Sequence, residues 1–223
     1  MKNLNNYIFE KLSINKNTKV KNYTYFPKDK NELINIIVER ITKAQKEDET
    51  IMEFDLNDID TSKIDDMYKL FPSIKQKVSL ENVNISDWNV SNVKSFNNCF
   101  CGMYDFNCDL SDWDVSSCED FESMFEGCYS FNSDLKNWNF ENAKSLKFMF
   151  LYCYDFDTDV SNWDLSNAAT IARMFDCCKN FKGDGLDKMK INKNLIDNKK
   201  NIYQTFYNCH SIKKLPSWYD EES

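Results

Sequence analysis

Trp88, Trp113, Trp138 and Trp163 recur at a spacing of 25 residues without exception. Three further series keep the same register: Phe100, Phe125, Phe150 and Phe175; Phe106, Phe131, Phe156 and Phe181; and, three residues before each tryptophan, Ile85, Leu110, Leu135 and Val160. Four series in step identify one structural unit repeated along the chain. A single unit of this length cannot bury its own apolar face, so the core has to form between stacked neighbours. The expected fold is an α/β repeat solenoid, each turn contributing one position to several continuous apolar columns.

One unit reads L-x-x-W-D/N-V-S-x-V-x-x-F/L-x-x-M-F-x-x-C-x-x-F-N-x-D. Degraded copies extend it both ways. Leu56, Ile59, Ile64, Met67 and Phe71 precede a four-residue insertion; Leu186, Met189 and Ile191 follow a one-residue slip; a longer insertion leads to Ile202, Phe206, Cys209 and Ile212, and Leu215 and Trp218 open a last partial unit. Within the third full unit Ala143, Leu146, Met149 and Phe150 show the spacing of one face of a short helix or 3-10 segment. Ser91, Ser116 and Ser166 stand where N-caps would, Ser116 with Glu119 as a capping box. The stretch from Tyr129 to Leu135 lacks helical spacing and reads as a short strand plus turn. Cys128, Cys153, Cys178 and Cys209 add a thiol column beside the phenylalanines.

A solenoid end exposes its core and needs a cap. After Pro27, the pair Asp29 and Glu32 marks a helix start, and Leu33, Ile34, Ile37, Val38 and Ile41 give that helix one apolar face. The chain therefore divides into a lead segment, 1–26, with a weak amphipathic pattern at Leu4, Ile8 and Leu12; a helical cap, 27–53; the repeat array, 54–218; and a tail, 219–223.

Composition narrows the function. A formal charge of −8 and no basic cluster argue against nucleic acid and anionic membrane as partners. No apolar run is long enough for an export signal or a membrane span, which leads to the expectation of an intracellular, non-inserted protein. Four glycines in 223 residues argue against a fold built on many left-handed turns. Abundant Lys, Asn, Ile, Tyr and Phe fit A/T-rich coding. Nine cysteines without a C-x-x-C pair, and with His210 as the single histidine, do not make a zinc site and read as buried thiols. Neither a metal nor a cofactor is expected.

Asp109, Asp134, Asp159 and Asp184 form a stripe at the repeat period; a cation ladder is one use, but capping of a turn by backbone N–H groups is the favoured one. Polar neighbours on both sides of each tryptophan admit a carbohydrate site, against which stands the regular recurrence of Trp as a core residue. No nucleophile, metal-ligand or phosphate-loop motif is present. No catalytic residue is assigned. The candidate contact positions are Asn107, Asn132, Asp157 and Lys182, with Tyr104, Tyr129 and Tyr154 beside them, tyrosine being a common interface anchor.

The string MFEGCYSFNSDLKNWNFENAKSLKFMFLYCYDFDTDVSNWDLSN, with its M-F-x-x-C-x-x-F-N-x-D-L-x-x-W core, resembles the BspA-like leucine-rich-repeat family. The likeness covers residues 54–182 best, and the lead-in YFPKDKNELINIIVERI resembles that family's N-terminal cap. It implies a curved, right-handed solenoid used for protein contact, in a family that includes bacterial surface and adhesion proteins and carries no catalytic residues. The sequence offers no pattern of the export signal and wall anchor of such surface members, so surface display is not the expectation. The expectation is a non-enzymatic scaffold binding another protein, with self-association open to it. The alternatives are a carbohydrate-binding adhesion protein and a structural, virion-type component.

Overall fold

The computed structural model describes residues 21–219; Leu4, Ile8 and Leu12 lie outside them, as does most of the tail. Helix α1 (Lys30–Glu47) begins where Asp29 accepts the Glu32 N–H at 2.9 Å, while the Glu32 carboxylate accepts the Lys28 N–H at 2.8 Å. Its apolar face buries Leu33, Ile34, Ile37 and Ile41 against the first units. Next come β1 (Glu53–Asp55), α2 (Leu70–Lys75) and β2 (Asn82–Asn84), with β2 parallel to β1. Near the far end, β3 (Asp164–Leu165) pairs in parallel with β4 (Lys190–Ile191), followed by α3 (Lys193–Asp197) and a 3-10 turn (Lys199–Asn201).

Between these short elements the units lie side by side. Parallel bridges join Asp66 to Ser95, Ser95 to Asp120, Asp120 to Ser145 and Ser145 to Thr170, one per repeat. From each bridge a ladder runs on. Phe121, Ser123, Phe125 and Gly127 donate their N–H groups to the carbonyls of Ser145, Lys147, Met149 and Leu151. Leu146, Phe148, Phe150 and Tyr152 do the same to Thr170, Ala172, Met174 and Asp176. Every second N–H thus reaches the next unit. The intervening ones close local turns, as Met149 to Leu146 and Cys153 to Phe150.

This geometry differs from the sequence-based expectation at two points. The segment around 143–150, whose spacing suggested a helix, is a run of turns carrying a bridge; the stretch 129–135 forms no strand. A near-threefold spacing of buried residues comes equally from consecutive i to i+3 turns. Accordingly the serines cap no helix: Ser116 N–H donates to Asp114 at 3.1 Å, and Glu119 N–H goes to the Lys94 carbonyl. The scarcity of glycine also misled. Alternating forward and local bonds require a left-handed residue at two places in a unit. Besides four glycines, nine other described residues have positive φ, among them Asn98, Ser123, Phe148 and Arg173 in one series and Tyr152 and Cys177 in line with Gly102 and Gly127. The left-handed conformation costs a non-glycine residue roughly 1–2 kcal/mol, which the inter-unit bonds offset.

Only one glycine is fixed by space as well as conformation. A Cβ on Gly185, at φ +90°, would stand 2.3 Å from the Ser161 backbone nitrogen and 2.6 Å from the Asp159 carboxylate. Gly185 marks the one-residue slip of the fifth unit, where the chain is drawn against its predecessor. Gly185→Ala is expected to destabilise by about 2 kcal/mol or more through forced backbone movement, read as a fall in melting temperature; Gly102→Ala, whose Cβ meets nothing within 4 Å, should fall much less.

Candidate interaction surface

The apolar columns come first, because they decide which side chains remain for a partner. Phe100, Phe125, Phe150 and Phe175 stack at centroid distances of 5.3, 5.6 and 5.7 Å with interplanar angles of 9° or less, all fully buried. Phe106, Phe131, Phe156 and Phe181 form a second buried series beside them. Trp88, Trp113, Trp138 and Trp163 are at most 4% exposed. Their indole N–H groups explain why the position is Trp and not Phe. Trp138 Nε1 donates to the Leu110 carbonyl at 2.9 Å, and that carbonyl also accepts the Trp113 backbone N–H at 3.1 Å. Trp88, Trp113 and Trp163 donate in the same way to Leu56, Ile85 and Leu135. The L-x-x-W spacing therefore encodes an acceptor shared by two consecutive units.

The thiol column repeats the device. Cys128, Cys153, Cys178 and Cys209 point their sulfurs at the carbonyls of Phe100, Phe125, Phe150 and Phe175, at 3.2, 3.0, 3.1 and 2.9 Å. Burial pushes the first three thiols well above the ordinary cysteine range and Cys209 to about 12. They therefore stay protonated and serve as S–H donors as well as small apolar fillers.

Three of the four stripe aspartates cap turns, and the fourth, Asp184, accepts the Val160 N–H through its backbone carbonyl. Asp109, Asp134 and Asp159 accept the N–H groups of Ser111, Lys136 and Ser161 at 2.9–3.0 Å. Lys136, at 2.6 Å, and then the Ser161 N–H hold Asp159 down at about 2. Lys190, at 2.8 Å, and then Ser166 do the same for Asp164. Among the described residues no group of three or more His, Cys, Asp or Glu side chains is placed to hold a metal ion.

The series Asn107, Asn132, Asp157 and Lys182 is drawn into the scaffold. Asn107, Asn132 and Asp157 each accept, at 2.9 Å, the backbone N–H of the equivalent residue one unit on. Lys182 also pairs with Asp157 through its ammonium group. The Asn107, Asn132 and Asp157 side chains remain partly open to solvent but have one oxygen committed to the backbone.

Tyr104, Tyr129 and Tyr154 are different. Their rings stack at 4.9 and 4.8 Å, with Tyr104 52% and Tyr129 38% exposed and Tyr154 half-buried, the exposed Tyr152 ring standing edge-on to it. Backbone bonds from Ser130, Asp155 and Asn180 to the three tyrosine carbonyls fix the spacing. Lysines close both ends. Lys75 lies 5.5 Å from the Tyr104 centroid, and Lys179, in the tyrosine position of the next unit, lies 4.1 Å from Tyr154. Desolvation, then the neighbouring Tyr154 and Tyr104, raise the Tyr129 hydroxyl above its usual value. The two lysines were missed in the sequence. Lys179 was legible as the one departure that ends the tyrosine series.

No helix among the described residues is long and apolar enough to cross a membrane. No match was found among curated proteins or among solved structures. A family profile matches residues 39–153, 66–189 and 135–219, overlapping stretches that together take in the whole repeat array and much of the capping helix. The chain belongs to the repeat family described as Mycoplasma protein of unknown function, DUF285.

Proposed function

We propose that the chain is a non-enzymatic protein-binding scaffold, a stacked solenoid of the BspA-like leucine-rich-repeat kind, which contacts a partner protein through the Tyr104–Tyr129–Tyr154 stripe. The observation that carries this is the open tyrosine stack with a lysine at each end. The buried columns already supply the core, so an exposed aromatic column at the same period adds little to folding. It offers rigid, amphipathic contact area at low entropic cost, as protein interfaces favour. The tryptophans, the rings a carbohydrate platform would need in the open, are buried with their N–H groups committed to the backbone.

The test is a triple substitution of Tyr104, Tyr129 and Tyr154 to Ser. Melting temperature should fall by only a few degrees, while a partner captured by the parent from its native extract, quantified by mass spectrometry, is lost by about tenfold or more. A triple variant that captures the same partner undiminished, while a glycan or other surface of the protein accounts for binding, refutes the assignment.

A further inference from the structure

A second surface stands apart from the tyrosine stripe. Phe148 N–H bonds to the Ala172 carbonyl, and Arg173 N–H bonds to the Tyr203 carbonyl, at 3.1 and 2.8 Å. These two bonds bring residues from three successive units into one groove of about 380 Å³, lined by Lys147, Phe148, Ala172, Arg173, Lys200 and Tyr203. Lys147 lies 4.6 Å and Arg173 5.4 Å from the Phe148 ring centroid, so two cations flank one ring. Tyr203 is 49% exposed. No carboxylate lines the groove. Asp176 holds Arg173 through its Nε at 2.7 Å, and Glu122, one unit back, accepts the Ser145 hydroxyl at 3.3 Å. Among the described residues neither Lys147 nor Lys200 forms an ion pair with a carboxylate.

Equivalent positions elsewhere show what is particular here. Units one and two carry Asn97 with Asn98 and Glu122 with Ser123, without a ring or a cation. The departure coincides with the broken period: the spacing from Phe175 to Phe206 exceeds 25 because α3 and the 3-10 turn are inserted, and that turn delivers Lys200 to the groove wall. The protein as a whole is strongly acidic, yet charges farther than about 8 Å are largely screened at physiological salt. Local cations therefore govern what settles here.

We propose that this groove binds a short acidic segment of another protein, seating an aromatic or aliphatic side chain on Phe148, Ala172 and Tyr203 while flanking carboxylates meet Lys147, Arg173 and Lys200. Nucleic acid fits less well. A phosphate backbone running on past the groove would meet Asp120 and Glu122, which lie beside Ser145 and Lys147 on the preceding unit, whereas one anchored side chain with its flanking carboxylates stays over the three cations.

The test uses the whole chain and fluorescence anisotropy with three probes: octapeptides randomised over Asp, Glu, Phe, Tyr and Leu, a matched pool with Lys replacing the acids, and an oligothymidine of similar length. The acidic pool should bind, weaken with salt, and lose about tenfold in affinity in Lys147→Glu/Lys200→Glu. Lys200→Glu alone, at an exposed position, should lose a smaller share with an unchanged melt, and the double variant should gain the basic pool. Tyr203→Ser should weaken the acidic pool, and the triple Tyr variant of the other stripe should leave it unchanged. Acidic-pool binding that survives the double variant, oligothymidine binding tighter than peptide, or light scattering that shows a dimer dissociated by Lys200→Glu would each overturn the proposal.

Discussion

Excising residues 111–135 should leave a protein that still folds, shorter by one unit. The cut joins Leu110 to Lys136, so the carbonyl that accepted Trp113 N–H and Trp138 Nε1 receives the same two donors from the next unit. Each column loses one member and keeps its continuity. Removing 111–123 instead shifts everything downstream by about half a unit, setting Phe125 opposite Asp87 and Leu135 opposite Asn97 and breaking the ladder. The expected readout is a cooperative tryptophan-fluorescence melt for the first variant, lowered on the order of 10 °C, and no cooperative melt for the second. Equal damage from both deletions would show that the 25-residue register does not govern stacking.

The second large effect is at Trp138. The ring is 2% exposed and lies parallel to Trp113 at 6.4 Å, with Phe121, Phe125 and Phe140 around it. Trp138→Ala should cost roughly 3–5 kcal/mol, a large part of the 5–15 kcal/mol typical of a folded domain. Trp138→Phe should cost about 1 kcal/mol for the lost N–H bond to Leu110, plus a smaller packing loss. Native fluorescence should be blue-shifted and poorly quenched by iodide. An Ala variant that melts like the parent would place the ring outside the core.

The columns were legible in the sequence because stacking demands the same side chain at the same position in every unit. The turn-capping role of Asp109, Asp134 and Asp159 was legible for a related reason: each stands two residues before the N–H it accepts. Local conformation was not. Phe148, Arg173, Tyr152 and Cys177 are poor advertisements for left-handed backbone, and what holds them there is a hydrogen bond to a residue 24 positions later for Phe148 and Tyr152 and 30 later for Arg173 and Cys177. No short-range pattern records such a partner. The tyrosine series was visible as a column, but its exposure was not, since Tyr fits a core margin or a surface equally well. The basic groove was invisible from the repeat pattern, because it consists of departures from that pattern brought together by an insertion.

The doubly used carbonyls have a consequence beyond stability. Leu110, Leu135 and their equivalents present the same acceptor to whatever follows, and Trp88, Trp113, Trp138 and Trp163 bring the same donors to whatever precedes them. Adjoining units thus recognise one another by a common coupling and not by individual fit. A gene of this design can gain or lose whole units by unequal recombination and still encode a folded chain. The positions at 97–98, 122–123, 147–148 and 172–173 supply none of these shared carbonyls or indole donors, although Asn97 and Glu122 add side-chain bonds to Asp120 and Ser145 of the next unit, so selection can rewrite them unit by unit, and lineages of such proteins should diverge fastest there while their tryptophans stand still.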